Sequence, residues 1–236
     1  MKKFYLGFGI IALTIISCTD EGISNYEPAT SEKYTMLSKT ANELLPQNSE
    51  NPYDIAGSLY LDIFTLYPDA DSNASIEEIV ETVESISLGN SDFVALQGTA
   101  INSVDTVMVN NIISNPKGSL NQIIGSSSLT SGAKSSLTGF IDEIEAIESE
   151  DYQEVYSYIQ SYEALVLVNN SFTANDKRVL LSTSSIARYS LYDKKRPRDR
   201  DWETSVGNII AATGGAINTT ALAIKTAVVT DIGIKP

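Results

Sequence analysis

Histidine is absent from the chain, and cysteine occurs once, at Cys18. Without an imidazole there is no Ser-His-Asp or Cys-His catalysis. Without imidazoles and further thiols there is no usual zinc site and no disulfide within one chain. Basic residues are scarce as well: 16 Lys and Arg face 30 Asp and Glu, a net charge of −14. That field repels phosphate backbones, so nucleic acid is excluded as an expected partner of the main body. No cofactor is implied. The acidity is uneven: residues 18–193 hold 7 basic and 26 acidic side chains, whereas residues 194–236 hold 7 basic and 4 acidic. Such a change of composition marks a boundary near Lys194.

What is present begins with processing. Met1-Lys2-Lys3 is positively charged, and Phe4–Ile16 is an apolar run of 13 residues. The run is short for a membrane span, and Ile15-Ile16-Ser17 places a small residue before Cys18, as in a secretory leader. This arrangement resembles the lipobox of bacterial lipoproteins. The resemblance implies removal of residues 1–17 and lipid (palmitate) attachment at Cys18. The expected location is the outer membrane, on the cell surface or the periplasmic face. Thr19, Asp20 and Glu21 follow directly and resemble the acidic export signal of surface-displayed lipoproteins. Residues 18–28 read as a polar tether.

Helical periodicity dominates the rest, and the expected fold class is all-α: an irregular multi-helix bundle closed by a small-residue-rich C-terminal helical hairpin. Ser31–Leu45 carries Tyr34, Leu37, Ala41, Leu44 and Leu45 at helical spacing and is followed by Pro46. Asn51-Pro52 reads as a cap with proline in the first turn, opening a helix with Ile55, Leu59, Ile63 and Leu66 on one stripe. Ser75 and Glu78 spell a capping box for Ile76–Leu88. Ser91–Ser114 reads as one kinked helix or two, broken near Gly98, and Asn115–Gly118 as a turn. Leu137, Ile141, Ile144 and Ile147 mark another helix. Asp151 with Glu154 opens one running to Val168, and Thr173 with Asp176 caps the last long one, through Leu191. Residues 29–193 thus form an acidic helical domain and residues 194–202 a basic linker. Residues 203–236 are an Ala/Gly/Thr-rich tail, expected to divide at Gly214-Gly215. Within the tail, Gly207, Ala211, Gly215, Thr219, Ala223 and Ala227 recur every fourth position, which lets helices approach closely.

Several constellations compete for chemistry. Asp69, Asp71 and Asn73 resemble the opening of a calcium loop, but Ala74 stands at its glycine and Val80 at its glutamate, so the expectation is a polar loop running into the Ser75 cap. Ser131-Gly132-Ala133-Lys134 spells the S-x-x-K of serine β-lactamases, and Lys225-Thr226-Ala227 is a near K-T-G without the supporting Ser-Asp-Asn. Glu77/Glu78 and Glu143/Glu145 are carboxylate pairs of the type that glycosidases use across a cleft, although the outer face of a helix is the simpler home for them. Tyr152, Tyr156 and Tyr162 are candidate binding aromatics for a peptide or glycan, with core packing the simpler assignment at their spacing.

Asn51-Pro52-Tyr53-Asp54-Ile55-Ala56-Gly57 resembles the N-P-Y-D-x-x-G opening of a set of uncharacterised bacterial lipoproteins, and Ser185–Ser190 ahead of a Gly/Ala-rich tail is similar to them too. Tyr60 and Leu61 stand where those proteins carry a His-Asn pair. The resemblance brings no activity with it. The expected function is a non-enzymatic binding or scaffolding lipoprotein, held at the membrane by lipid on Cys18, with a protein or glycan partner. The alternatives are a membrane-active effector working through residues 203–230 and a carboxylate-dependent hydrolase.

Overall fold

A computed structural model describes residues 44–68, 74–147, 151–194 and 204–234, all within one compact unit that starts at Leu44. The leader, Cys18, Thr19–Glu21, the tether, the Ser31–Glu43 part of the first expected helix, the Asp69/Asp71/Asn73 loop and residues 195–202 of the linker lie outside the described residues. Among those described, the chain forms ten helices and no strand. They are α1 (Ile55–Leu66), α2 (Ile76–Gly89), α3 (Ser91–Gln97), α4 (Thr106–Ser114), α5 (Pro116–Ser126), α6 (Ser131–Ile147), α7 (Tyr152–Val168), α8 (Ala174–Lys194), α9 (Thr204–Asn218) and α10 (Thr220–Gly233).

Local chemistry explains most of the boundaries. Ser75 and Glu78 exchange the two bonds of a capping box at the head of α2, satisfying amides that the helix leaves without partners. Thr173 and Asp176 do the same for α8, with Asp176 N donating to Thr173 Oγ1 at 3.0 Å and Thr173 N to Asp176 Oδ2 at 2.9 Å. Gly98 takes φ 58° and closes α3; an L-residue with a side chain is strained there, which is why the 91–114 stretch is two helices and not one.

Three boundaries differ from the sequence expectation. The helix expected to open at Asn51-Pro52 is α1 and begins at Ile55, because Asn51 Oδ1 accepts from Tyr53 N in a local turn while its Nδ2 points into the interior. Asn115-Pro116 opens α5 instead of making a free turn, since Asn115 Oδ1 accepts from Gly118 N and proline fits the first helical position. The C-terminal hairpin divides at Thr219, which caps α10 through Leu222 N. Gly214 and Gly215 sit inside α9. There they serve packing: a Cβ on Gly215 would lie 2.5 Å from the Leu222 carbonyl oxygen and 2.6 Å from Ala223 Cα. At the other end, Gly207 meets the Ile234 side chain, so α9 and α10 run antiparallel.

The core is built around three helices that have almost no outside. In α8 every residue from Val179 to Asp193 is buried, in α9 every one from Gly207 to Ala216, and in α10 every one from Thr220 to Asp231. A helix without a polar face has to be wrapped on all sides. The other helices do the wrapping: α1 lies on α8 and α10, α2 on α10, α7 on α8, and α4, α5 and α6 on α9. These outer helices keep ordinary amphipathic stripes, such as Ile79 and Val83 on α2 or Leu137, Phe140, Ile141 and Ile144 on α6. The tail is therefore the centre of the body. No helix among the described residues is long and apolar enough to cross a membrane.

Candidate functional site: a buried polar junction

A buried charge in an otherwise uncharged stretch of helix must find a partner, because a bare ion in a low-dielectric interior is very costly. Arg188 is the lone charge of α8 between Arg178 and Asp193, and Glu163 is the lone charge of α7 after Glu154. The structure brings the two together. Both side chains have 0% exposure, and Arg188 Nη2 lies 3.2 Å from Glu163 Oε1 and 2.7 Å from Asp54 Oδ1.

Glu163 is the hub. Its Oε1 also accepts from Asn51 Nδ2 at 2.7 Å and Ser184 Oγ at 2.9 Å, and its Oε2 accepts from Asn48 Nδ2 at 2.6 Å. Asp54, at the head of α1, spends its side chain on Arg188, on Tyr189 OH at 3.2 Å and on Asn48 N at 3.2 Å, which explains why it makes no cap bond to its own helix. Ser185 Oγ completes the seam by donating to Asp54 O and accepting from Gly57 N. A residue with a side chain at Gly57 would collide with Ser185 and Tyr189, so glycine is what lets α1 lie this close to α8. Burial pushes the Arg188 guanidinium down, and the adjacent Glu163 and Asp54 carboxylates outweigh it, so its pKa ends above the ordinary value.

A second polar cluster joins four helices. Tyr60 OH of α1 donates to Asp231 Oδ2 of α10 at 2.5 Å and accepts from Asn208 Nδ2 of α9 at 3.2 Å. Asn208 Nδ2 also reaches Ser190 Oγ of α8 at 2.7 Å. Burial first and the Asp231 charge second hold the Tyr60 phenol well above its usual value. Lys225, alone in the middle of α10, is 2% exposed and reaches outward to Glu84 Oε1 at 2.6 Å and to Asn102 O at 2.7 Å.

The candidates read from sequence are placed as follows. Tyr152, Tyr156 and Tyr162 lie in the core at 7–9% exposure. Tyr152 packs against Tyr156 and Tyr192, and Tyr162 stacks on Phe140 with ring centroids 4.3 Å apart, so their faces are covered by the protein's own rings. Tyr156 OH donates to Gln47 O at 2.8 Å. Ser131 is the first residue of α6, and Lys134 Nζ donates to Gly125 O. Glu77 and Glu143 are on exposed helix faces, Glu78 is spent on the capping box, and Glu145 pairs with Lys117 at 2.9 Å. Among the described residues no group of three or more Asp, Glu or Cys side chains could hold a metal.

In the sequence, Asp54 and Arg188 stood out only as members of the N-P-Y-D stretch and of Ser185–Ser190, with no site role, and Glu163, Asn208 and Asp231 did not stand out at all. For Glu163 and Arg188 the signal was present: a single ionisable residue in a long uncharged stretch of helix. What that signal lacks is the partner, because Asn48 and Glu163 are 115 positions apart. Compared with known protein families, curated proteins and solved structures, the chain matches none.

Proposed function

We propose that the protein is a lipid-anchored envelope protein that works by binding or scaffolding rather than by catalysis. The observation that carries this reading is the sequence from Met1 to Cys18: a basic start, a short apolar run and a small residue directly before the chain's one cysteine. A cysteine with no second thiol in the chain to pair with and no histidine to work beside has lipid attachment as its natural chemistry. Support from the body is of a different kind. Its most conspicuous ionisable groups are spent within the fold: Arg188 and Glu163 are buried against each other, and Lys225 is bonded to Glu84 and to the Asn102 carbonyl, an arrangement that suits a scaffold. The partner is a protein or a glycan met at the cell surface or in the periplasm.

Metabolic labelling with an alkyne analogue of palmitate tests the reading. The wild-type chain is expected to carry label and to sediment with membranes. Cys18→Ala is expected to lose both. An unlabelled wild-type chain in the soluble fraction would overturn it.

A further inference from the structure

Between the leader and α1 lies a segment held in an unusual way. Residues 44–53 have no helix of their own, and their internal backbone bonds are short-range turns such as Asn51 N to Asn48 O at 3.0 Å. Most of their ties to the rest of the body are side-chain bonds converging on α7 and α8: Asn48 and Asn51 to Glu163, Asn51 to Leu181 O, and Tyr156 OH to Gln47 O; a further bond, Asn48 N to Asp54 Oδ1 at 3.2 Å, runs to the head of α1. Apolar support is thin. Pro46 is the segment's one buried apolar residue, and Leu44, Leu45 and Tyr53 are only partly buried, whereas α1, the next element, buries Ala56, Leu59, Tyr60, Ile63 and Phe64. Asp54, at the junction, accepts from Asn48 N but is also held to α8 by Arg188 and Tyr189, bonds that do not involve the segment.

We propose that residues 44–53 are a releasable strap, fastened by Glu163, which peels from the body as a unit while α1 stays docked through Asp54. Segments with few buried apolar contacts open at a lower free energy than the core they lie on. Here opening is cooperative because both asparagines share one carboxylate. On the reading that Cys18 carries the lipid, release lengthens the connection between anchor and body: ten residues drawn out span about 33 Å. The strap then adjusts how far the body stands from the membrane, and a partner that captures the freed asparagine amides or the exposed Glu163 carboxylate favours the long form.

Hydrogen–deuterium exchange read by mass spectrometry, on the full chain in detergent, tests this. Asn48→Ala/Asn51→Ala leaves the Glu163–Arg188–Asp54 pairing in place. It is expected to speed exchange in residues 44–53 by about tenfold or more while α1, α7 and α8 keep their rates. Glu163→Gln is expected to act in the same place, because its amide nitrogen must face either the Asn48 donor or the Asn51, Ser184 and Arg188 donors. Faster exchange spread through α8 in the asparagine double variant would make the junction a core support and overturn the strap. Unchanged exchange at residues 44–53 would show the fastener to be the apolar side chains or the Asn48 N–Asp54 bond, and overturns it equally. Neither readout depends on the lipid, so a failure of palmitate labelling is distinguished from a failure of the strap.

Discussion

Replacing Arg188 by methionine removes the cation on which two carboxylates converge while nearly keeping the volume of the side chain. Glu163 then keeps its Asn48, Asn51 and Ser184 donors but stands as a charge with 0% exposure and no counter-ion, and Asp54 loses its 2.7 Å partner. Breaking a buried ion pair from one side costs about 3–5 kcal/mol, most of it the penalty of the stranded charge. For a body of this size each kcal/mol moves the midpoint by about 2–4 °C, so Arg188→Met is expected to melt about 6–20 °C below wild type. The assays are thermal and urea unfolding followed by far-ultraviolet circular dichroism: the melt reads the temperature shift, and the urea midpoint falls with the slope unchanged. A companion variant separates the causes. Arg188→Met/Glu163→Gln removes the stranded charge along with its partner and is expected to be about 1–2 kcal/mol more stable than Arg188→Met alone. A loss below about 1 kcal/mol for Arg188→Met, or strict additivity of the two substitutions, refutes the reasoning that the junction is an interdependent buried ion network.

Three further outcomes follow from the geometry. Gly215→Ala places a methyl group 2.5 Å from a carbonyl oxygen of the facing helix and is expected to cost about 1–3 kcal/mol, whereas Gly139→Ala, with nothing within 4 Å, should stabilise α6 by up to about 1 kcal/mol; thermal melts of the two variants check the contrast. Burial opposes ionisation of Asp176, but bonds from Thr173 and Thr130 outweigh it and hold the carboxyl below its ordinary value of 3.8, so its contribution is present above pH 4 and lost as pH falls through the lowered value. Asp176→Asn is therefore expected to lose about 1 kcal/mol at pH 7 and to flatten the acid limb of a stability–pH curve. Burial pushes Tyr60, Tyr152, Tyr162 and Tyr189 above the normal phenol range and Tyr158 up to about 12. Because the unfolded chain ionises near pH 10, stability falls as pH rises past that value. An ultraviolet titration is expected to show these phenols ionising together with unfolding, and early ionisation of all twelve tyrosines would contradict the burial.

The sequence by itself determined the helical class, and it did so through local rules. Periodic apolar residues on α2, α6 and α7, and the Ser75/Glu78 and Thr173/Asp176 boxes, act within four residues and need no knowledge of the remainder of the chain. It also determined what chemistry is out of reach, since a residue type that is absent cannot be supplied by folding. The tail carried its own warning too: small residues every fourth position with almost no charge suit a helix that other helices touch closely. Tertiary structure alone decided that α8, α9 and α10 form the centre, because an unpatterned helix says that it is wrapped without saying by what. It alone paired Arg188 with Glu163 and Asp54, and Tyr60 with Asp231, across 171 positions in the latter case. It also turned Asn51 from a helix cap into a core donor, because a buried carboxylate without enough donors outbids a local cap that water can replace. Such partnerships are settled by which groups the packed helices leave without water, and no short window of sequence contains that information.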